Sequence, residues 1–224
     1  MPVPPPFPPF SVPPSRWGAQ IDWDKIHDPY TPKDKLAVHY GGGPNPAGEF
    51  FGLFADEVGN PPPRPSALRH PWAFIRWRRS DAFLEQVAKE MRVLVAWERY
   101  HLSRGWRGLA YSFPIGQSGT VYRNRCWNRT GAHYTSDDVD HDNVSENDEA
   151  IACVFILGAG QTPTSYAWRS FKKLRRWSQA QDGIADHLAP YGHREIALSG
   201  GHSTLCPGEP LMGLVLRMRR RMWL

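Results

Sequence analysis

The sequence predicts an α/β fold: a single domain with a central mixed β-sheet flanked by helices. Three observations predict it. Leu36-Ala37-Val38-His39-Tyr40 and the run from Ala150 to Leu157 have the length and apolar content of buried strands. From Ser80 to about Ser103, Phe83, Leu84, Val87, Met91, Leu94, Val95 and Trp97 recur near every third and fourth position, the helical period. The chain order is strand, helix, strands, helix, helix, which suits one layered α/β domain.

The elements follow in order. Residues 2–14 contain eight prolines, a composition that favours polyproline II and resists helix or sheet. Residues 1–33 are therefore expected to form a Pro-rich arm, either a loose tail or a docking arm against another subunit. The domain proper is expected over 34–224. Its first strand ends sharply at Gly41-Gly42-Gly43-Pro44. An insertion is expected around 44–79, where Pro61-Pro62-Pro63 and Pro65 forbid regular structure. Ser80 and Asp81 supply the start signal of the long helix.

Leu109 to Ile115 and Gly119 to Arg123 predict two strands of a hairpin joined by Gly116-Gln117-Ser118. After the strand from Ala150, Thr162-Pro163 is expected to open a helix, with Thr as cap. That helix has Ala167, Trp168, Phe171 and Leu174 on one side and Arg169, Lys172, Lys173, Arg175 and Arg176 on the other. A basic helix from about Pro210 to Met222 closes the chain. No internal repeat is present.

Composition narrows the function classes. The chain has 224 residues, enough for one domain plus extensions. Cys126, Cys153 and Cys206 are odd in number and widely spaced, which argues against a disulfide framework. No apolar run is long enough for a transmembrane helix. The N-terminus lacks the pattern of a signal peptide, so the expectation is synthesis in a cytoplasm and delivery by other means. The formal net charge of +5 suits an anionic target. Arg217, Arg219, Arg220 and Arg221, with the 169–176 cluster, are basic enough for nucleic acid. No nucleic-acid motif accompanies them, so attraction to an anionic wall or membrane is the expectation.

The chemistry concentrates near the C-terminus. Gly192-His193-Arg194-Glu195 and His202-Ser203-Thr204-Leu205-Cys206-Pro207-Gly208 bring two histidines and a cysteine within fourteen residues. The spacing fits none of the closed paired-cysteine zinc patterns. A three-ligand site with one open position is the catalytic arrangement, and it needs one more histidine from elsewhere. On spacing alone, His193 and His202 both compete to pair with Cys206.

His39 beside its glycine turn, Tyr111 after Arg104-Gly105-Trp106, the Gly119-Thr120-Val121-Tyr122 hairpin, Gly131-Ala132-His133, Asn147 before a buried strand, Thr162-Pro163, and then the His–Cys segment form a succession. This order resembles the zinc-dependent N-acetylmuramoyl-L-alanine amidase family, which shares its fold with peptidoglycan recognition proteins. The resemblance spans roughly residues 34–215. It implies zinc held by His39, His193 and Cys206, preferring His193 over His202. It implies cleavage of the amide between the lactyl group of muramic acid and L-alanine. Tyr111 matches the tyrosine placed beside the metal to meet an oxyanion. Thr204 matches a second polarising group, so Tyr111 and Thr204 are the candidate catalytic residues. His133 and Asn147 are the candidate substrate-binding residues, and peptidoglycan is the implied partner. The Pro-rich start and missing signal peptide resemble a bacteriophage endolysin acting on the cell wall after release.

The sequence departs from the family in three places. Between His39 and Tyr111 lie 71 residues, more than compact phage amidases have. Where some relatives carry a glutamate base, this chain reads Ile151-Ala152-Cys153-Val154. Residues 137–149 carry seven acidic residues in place of a short turn, either a solvated loop or a group of hard oxygens for a cation. Two further readings stand beside the hydrolase: a module that binds muropeptide without cutting, and a virion-associated wall-penetration protein.

Overall fold

The computed structural model of the chain describes residues 8–21, 33–41, 77, 79–125, 127, 129–134, 144–158, 160–181, 184–199 and 204–222. Along them run β1 (Ser11–Val12), α1 (Pro14–Trp17), β2 (Lys33–Tyr40), α2 (Asp81–Ser103), β3 (Phe113–Ile115) and β4 (Val121–Tyr122). Then come α3 (Glu146–Glu149), β5 (Ala150–Phe155), α4 (Ser165–Gln179), β6 (Ile184–Gly192), α5 (His193–Ser199) and α6 (Glu209–Arg220). The strands form one sheet in the order β1-β4-β3-β5-β2-β6. β3 and β4 are antiparallel, and every other neighbouring pair is parallel. The expected mixed sheet is the observed one.

The sheet is buried on both faces, as parallel strands require. Alternation along β5 sends Ile151, Cys153 and Phe155 to one face, where they meet Ala167, Phe171 and Leu174 of α4 and Leu211, Met212 and Val215 of α6. Val154 and Ile156 point to the other face, against Val93, Leu94 and Trp97 of α2. The same alternation along β2 buries Leu36 and Val38 with the α4/α6 layer. Ala37 and His39 therefore face the opposite side.

The long helix forms where its period predicts, and Ser80 caps it by accepting the Phe83 N–H at 3.3 Å. One of its buried residues is Glu90. That carboxylate accepts from the Ser118 N–H at 2.8 Å, the Ser118 hydroxyl at 2.7 Å and the Tyr122 hydroxyl at 2.8 Å. It ties α2 to the β3–β4 hairpin. A Cβ at Gly116 would fall 1.9 Å from Glu90 Oε2, so the turn needs glycine there.

Three expectations are corrected. Part of the proline arm is regular structure: Ser11–Val12 pair in parallel with Val121–Tyr122, and Pro14–Trp17 make one helical turn. Proline is tolerated there because a first-turn residue has no intrahelical N–H bond to lose. Trp17 anchors the turn, its indole N–H donating to the Arg123 carbonyl at 2.9 Å. α4 is capped by Thr164 instead of Thr162, its hydroxyl accepting from the Ala167 N–H. β6 was not expected; its nine residues carry the sheet one strand beyond β2. The expected insertion around 44–79 lies outside the described residues except for Trp77 and Arg79, and residues 137–143 of the acidic segment lie outside them as well.

Candidate metal centre

The parallel register of β2 and β6 builds the site. Val38 pairs with Gly192, so the next residues, His39 and His193, lie side by side where both strands end. Their rings stand 4.5 Å apart. Gly192 is required by close approach: a Cβ there would lie 2.9 Å from Pro207 Cδ. That approach brings the loop carrying Cys206 onto the strand ends. The Arg194 N–H donates to the Cys206 carbonyl at 2.8 Å and holds it there. One ligand atom from each of His39, His193 and Cys206 lies within 4.8 Å of the other two. His202, the rival of His193, lies outside the described residues.

Burial sets the protonation of the three donors. Burial lowers the His39 pKa well below its ordinary value, and His193 and His133 lower it further. Burial lowers His193 to about 4. Both imidazoles are neutral near pH 7 and present lone pairs. Burial pushes the Cys206 thiol up to about 12, against the pull of the Tyr40 backbone N–H and Arg194. Cys206 Sγ sits 3.7 Å from His39 Nδ1. Two ligands at zinc bond lengths on a tetrahedron stand about 3.5 Å apart. Among the described residues, His39 Nε2 and both ring nitrogens of His133 are buried without a hydrogen-bond partner. The donor set thus fits a tetrahedral metal that keeps one position open.

Tyr111 and His133 stand against the centre, with ring centroids 5.2 and 5.0 Å from His39. Burial, then the Cys206 sulfur, raises the Tyr111 pKa, so the hydroxyl keeps its proton. Thr204 Oγ1 accepts from the Cys206 N–H at 3.2 Å. Its oxygen steadies the ligand turn. Asn147 occupies a different position. Its Oδ1 accepts from the His133 N–H at 2.8 Å and the Tyr134 N–H at 3.1 Å, and its Nδ2 donates to the Tyr134 carbonyl at 3.2 Å. The amide is committed to the chain and holds residues 133–134 against the centre.

Two residues at the site escape a reading of the sequence. Tyr134 packs 5.0 Å from His193 and 4.4 Å from His133, and its buried hydroxyl has no partner among the described residues. Nothing in its local sequence sets it apart from a core aromatic. Glu195 had a signal. It stands three residues after Gly192, half of a capping box, and it accepts the Gly192 N–H at 2.9 Å. Arg219 of α6 grips the same carboxylate at 2.6 and 3.0 Å. Together they fix the strand-to-helix junction that aims His193.

No family model matches the chain. It is 33% identical over 113 residues to peptidoglycan-recognition protein SC2 of Drosophila melanogaster, covering 50% of this chain and 54% of that one. It is 42% identical over 139 residues to peptidoglycan-recognition protein SC1a of the same species, covering 58% and 63%. The chain thus spans about half to three-fifths of the length of these curated relatives. Among solved structures it is similar to peptidoglycan recognition protein-LE in complex with tracheal cytotoxin, a monomeric diaminopimelic acid-type peptidoglycan. That likeness has a TM-score of 0.57 and 19% identity over 93% of each chain. The sheet order, the helical layers and these likenesses agree that the chain has the fold of the peptidoglycan recognition proteins.

Proposed function

We propose that this chain binds peptidoglycan and hydrolyses the amide joining the lactyl group of N-acetylmuramic acid to L-alanine, with zinc held by His39, His193 and Cys206. The observation that carries the proposal is the convergence of two neutral imidazoles and one thiol within 4.8 Å at a largely buried point. Zinc bound there supplies Lewis acidity to the scissile carbonyl and to the attacking water. The chain's own groups do the rest. Tyr111 keeps its proton and donates a hydrogen bond to the carbonyl oxygen as negative charge develops. Thr204 offers a second hydroxyl beside the Cys206 ligand. His133 and Tyr134, held by Asn147, form the wall against which the muropeptide lies. The substrate class is supported by the names of the relatives and by the muropeptide bound in the recognition protein-LE complex. In its fullest form the proposal is an endolysin, made in a host cytoplasm and acting on the wall after release.

The relatives' names also favour a second reading, a module that binds muropeptide without cutting it. Purified peptidoglycan separates the two. The hydrolase pellets with the wall and liberates stem peptides beginning with a free L-alanine amine, identified by mass. Pelleting with no such peptide released supports the binding module.

A further inference from the structure

A groove of about 300 Å³ runs between α4 and α6 and shares no residue with the metal centre. Its floor is apolar, formed by Trp168, Leu214, Met218 and Met222. Its cations are Lys172, Arg175 and Arg176 of α4, with Arg217 of α6 and Arg221 just past the end of α6. Among the described residues that line it there is no carboxylate.

The two helices build this face by their period. Trp168, expected on the side of α4 away from the cations, lines the groove together with 172, 175 and 176, and 214, 217, 218 and 221 share one side of the α6 segment. The neighbouring Arg219 belongs elsewhere, since it is held by Glu195. Five like charges around one groove repel each other. Burial, and then Arg176, lower the Arg175 pKa. Such an arrangement is relieved by an anion. A soluble polyanion would be satisfied by the cations alone. An apolar floor ringed by cations matches an amphiphile, with anionic headgroups at the rim and hydrocarbon within.

We infer that the α4/α6 face docks on a bilayer of anionic phospholipid, through the Lys172, Arg176, Arg217 and Arg221 rim and the Met218–Met222 floor. The docking is independent of the metal centre and of the reaction proposed there.

The test is co-sedimentation of the full chain with vesicles at about 0.15 M salt. One vesicle set is phosphatidylcholine alone; the other contains about one-third phosphatidylglycerol. The chain is expected to pellet with the anionic vesicles only. Each basic residue at an anionic surface strengthens binding about fivefold, so the double variant R217Q/R221Q weakens it about thirtyfold. Met222→Ser weakens it severalfold with the charge unchanged. Thermal melts confirm that both variants stay folded, and zinc content confirms an intact centre. Equal binding to both vesicle sets overturns the inference, as does a double variant that binds like the parent. Retention on polyphosphate or duplex DNA that Met222→Ser leaves intact, without vesicle binding, overturns it in favour of a soluble polyanion.

Discussion

Asn147→Ala separates a residue that touches substrate from one that shapes the site. The Asn147 amide makes three hydrogen bonds to the backbone of His133 and Tyr134, and all three residues are buried. Alanine leaves two N–H groups and one carbonyl without those partners. A buried polar group left unsatisfied costs about 1–3 kcal/mol, and the two N–H groups dominate because the carbonyl is the more tolerant. The expected loss is about 3–5 kcal/mol, a large part of a typical domain's stability. Urea unfolding measures it directly, and the melting temperature should fall by about 10 °C. Glu85→Ala breaks the exposed Lys89–Glu85 pair and serves as the control, with an expected change below about 0.5 kcal/mol. A loss under about 1 kcal/mol for Asn147→Ala, with a raised KM as its main effect, would refute the reasoning and return Asn147 to the substrate surface.

Gly116→Ala forces a methyl group into the Glu90 carboxylate, which three good hydrogen bonds hold in place. We expect about 2–4 kcal/mol of lost stability by chemical denaturation, and a neutral result would mean that Glu90 moves freely. Tyr111→Phe removes the hydroxyl and leaves the ring beside His39. The amidase rate should fall about 10²–10³-fold with zinc content unchanged, and an unchanged rate would remove Tyr111 from the chemistry. Acid destabilises the fold through His101. His101 accepts the Ala110 N–H at 3.2 Å, and burial followed by Arg125 lowers its pKa to about 3. The unfolded chain binds its proton near 6.5, so the folded state holds fewer protons between these values. Stability contributed by neutral His101 is complete above about 6.5 and is lost as pH falls toward 3, at up to about 1.4 kcal/mol per pH unit. Urea unfolding of the parent and of His101→Gln over that window should differ in slope by one proton, and parallel slopes would contradict the assignment.

Much of this architecture was legible from local pattern. The period of α2, its Ser80 cap and the apolar run of β5 are short-range signals, and each element formed where its signal stood. β6 was not legible. Its sequence, Ile184-Ala-Asp-His-Leu-Ala-Pro-Tyr-Gly192, breaks the apolar run with Asp186, His187 and Pro190. It is a strand because it pairs with β2, about 150 residues away in the chain, which is a tertiary fact. The proline arm misled for a related reason. Ser11 and Val12 have little strand preference in that context, and β4 supplies the edge that orders them. In the candidate site, His39, His193 and Cys206 were readable as residue types able to bind one metal. Their convergence depends on the Val38–Gly192 register and on Gly192 admitting Pro207. Asn147 was a candidate substrate-binding residue through the resemblance alone, and only the fold shows its amide turned inward to the backbone of residues 133–134. Tyr134 enters through that same inward turn.

The central claim is a zinc centre that cleaves the muramoyl–L-alanine amide, and one paired measurement tests it most directly. Zinc per chain is determined by elemental analysis after dialysis, and new L-alanine amino ends released from purified peptidoglycan are counted, for the parent and for Cys206→Ser. One zinc per parent chain and steady release of amino ends are expected, with both lost together in Cys206→Ser. A zinc-free parent chain that still releases L-alanine amino ends, or a zinc-loaded one that releases none, would contradict that claim.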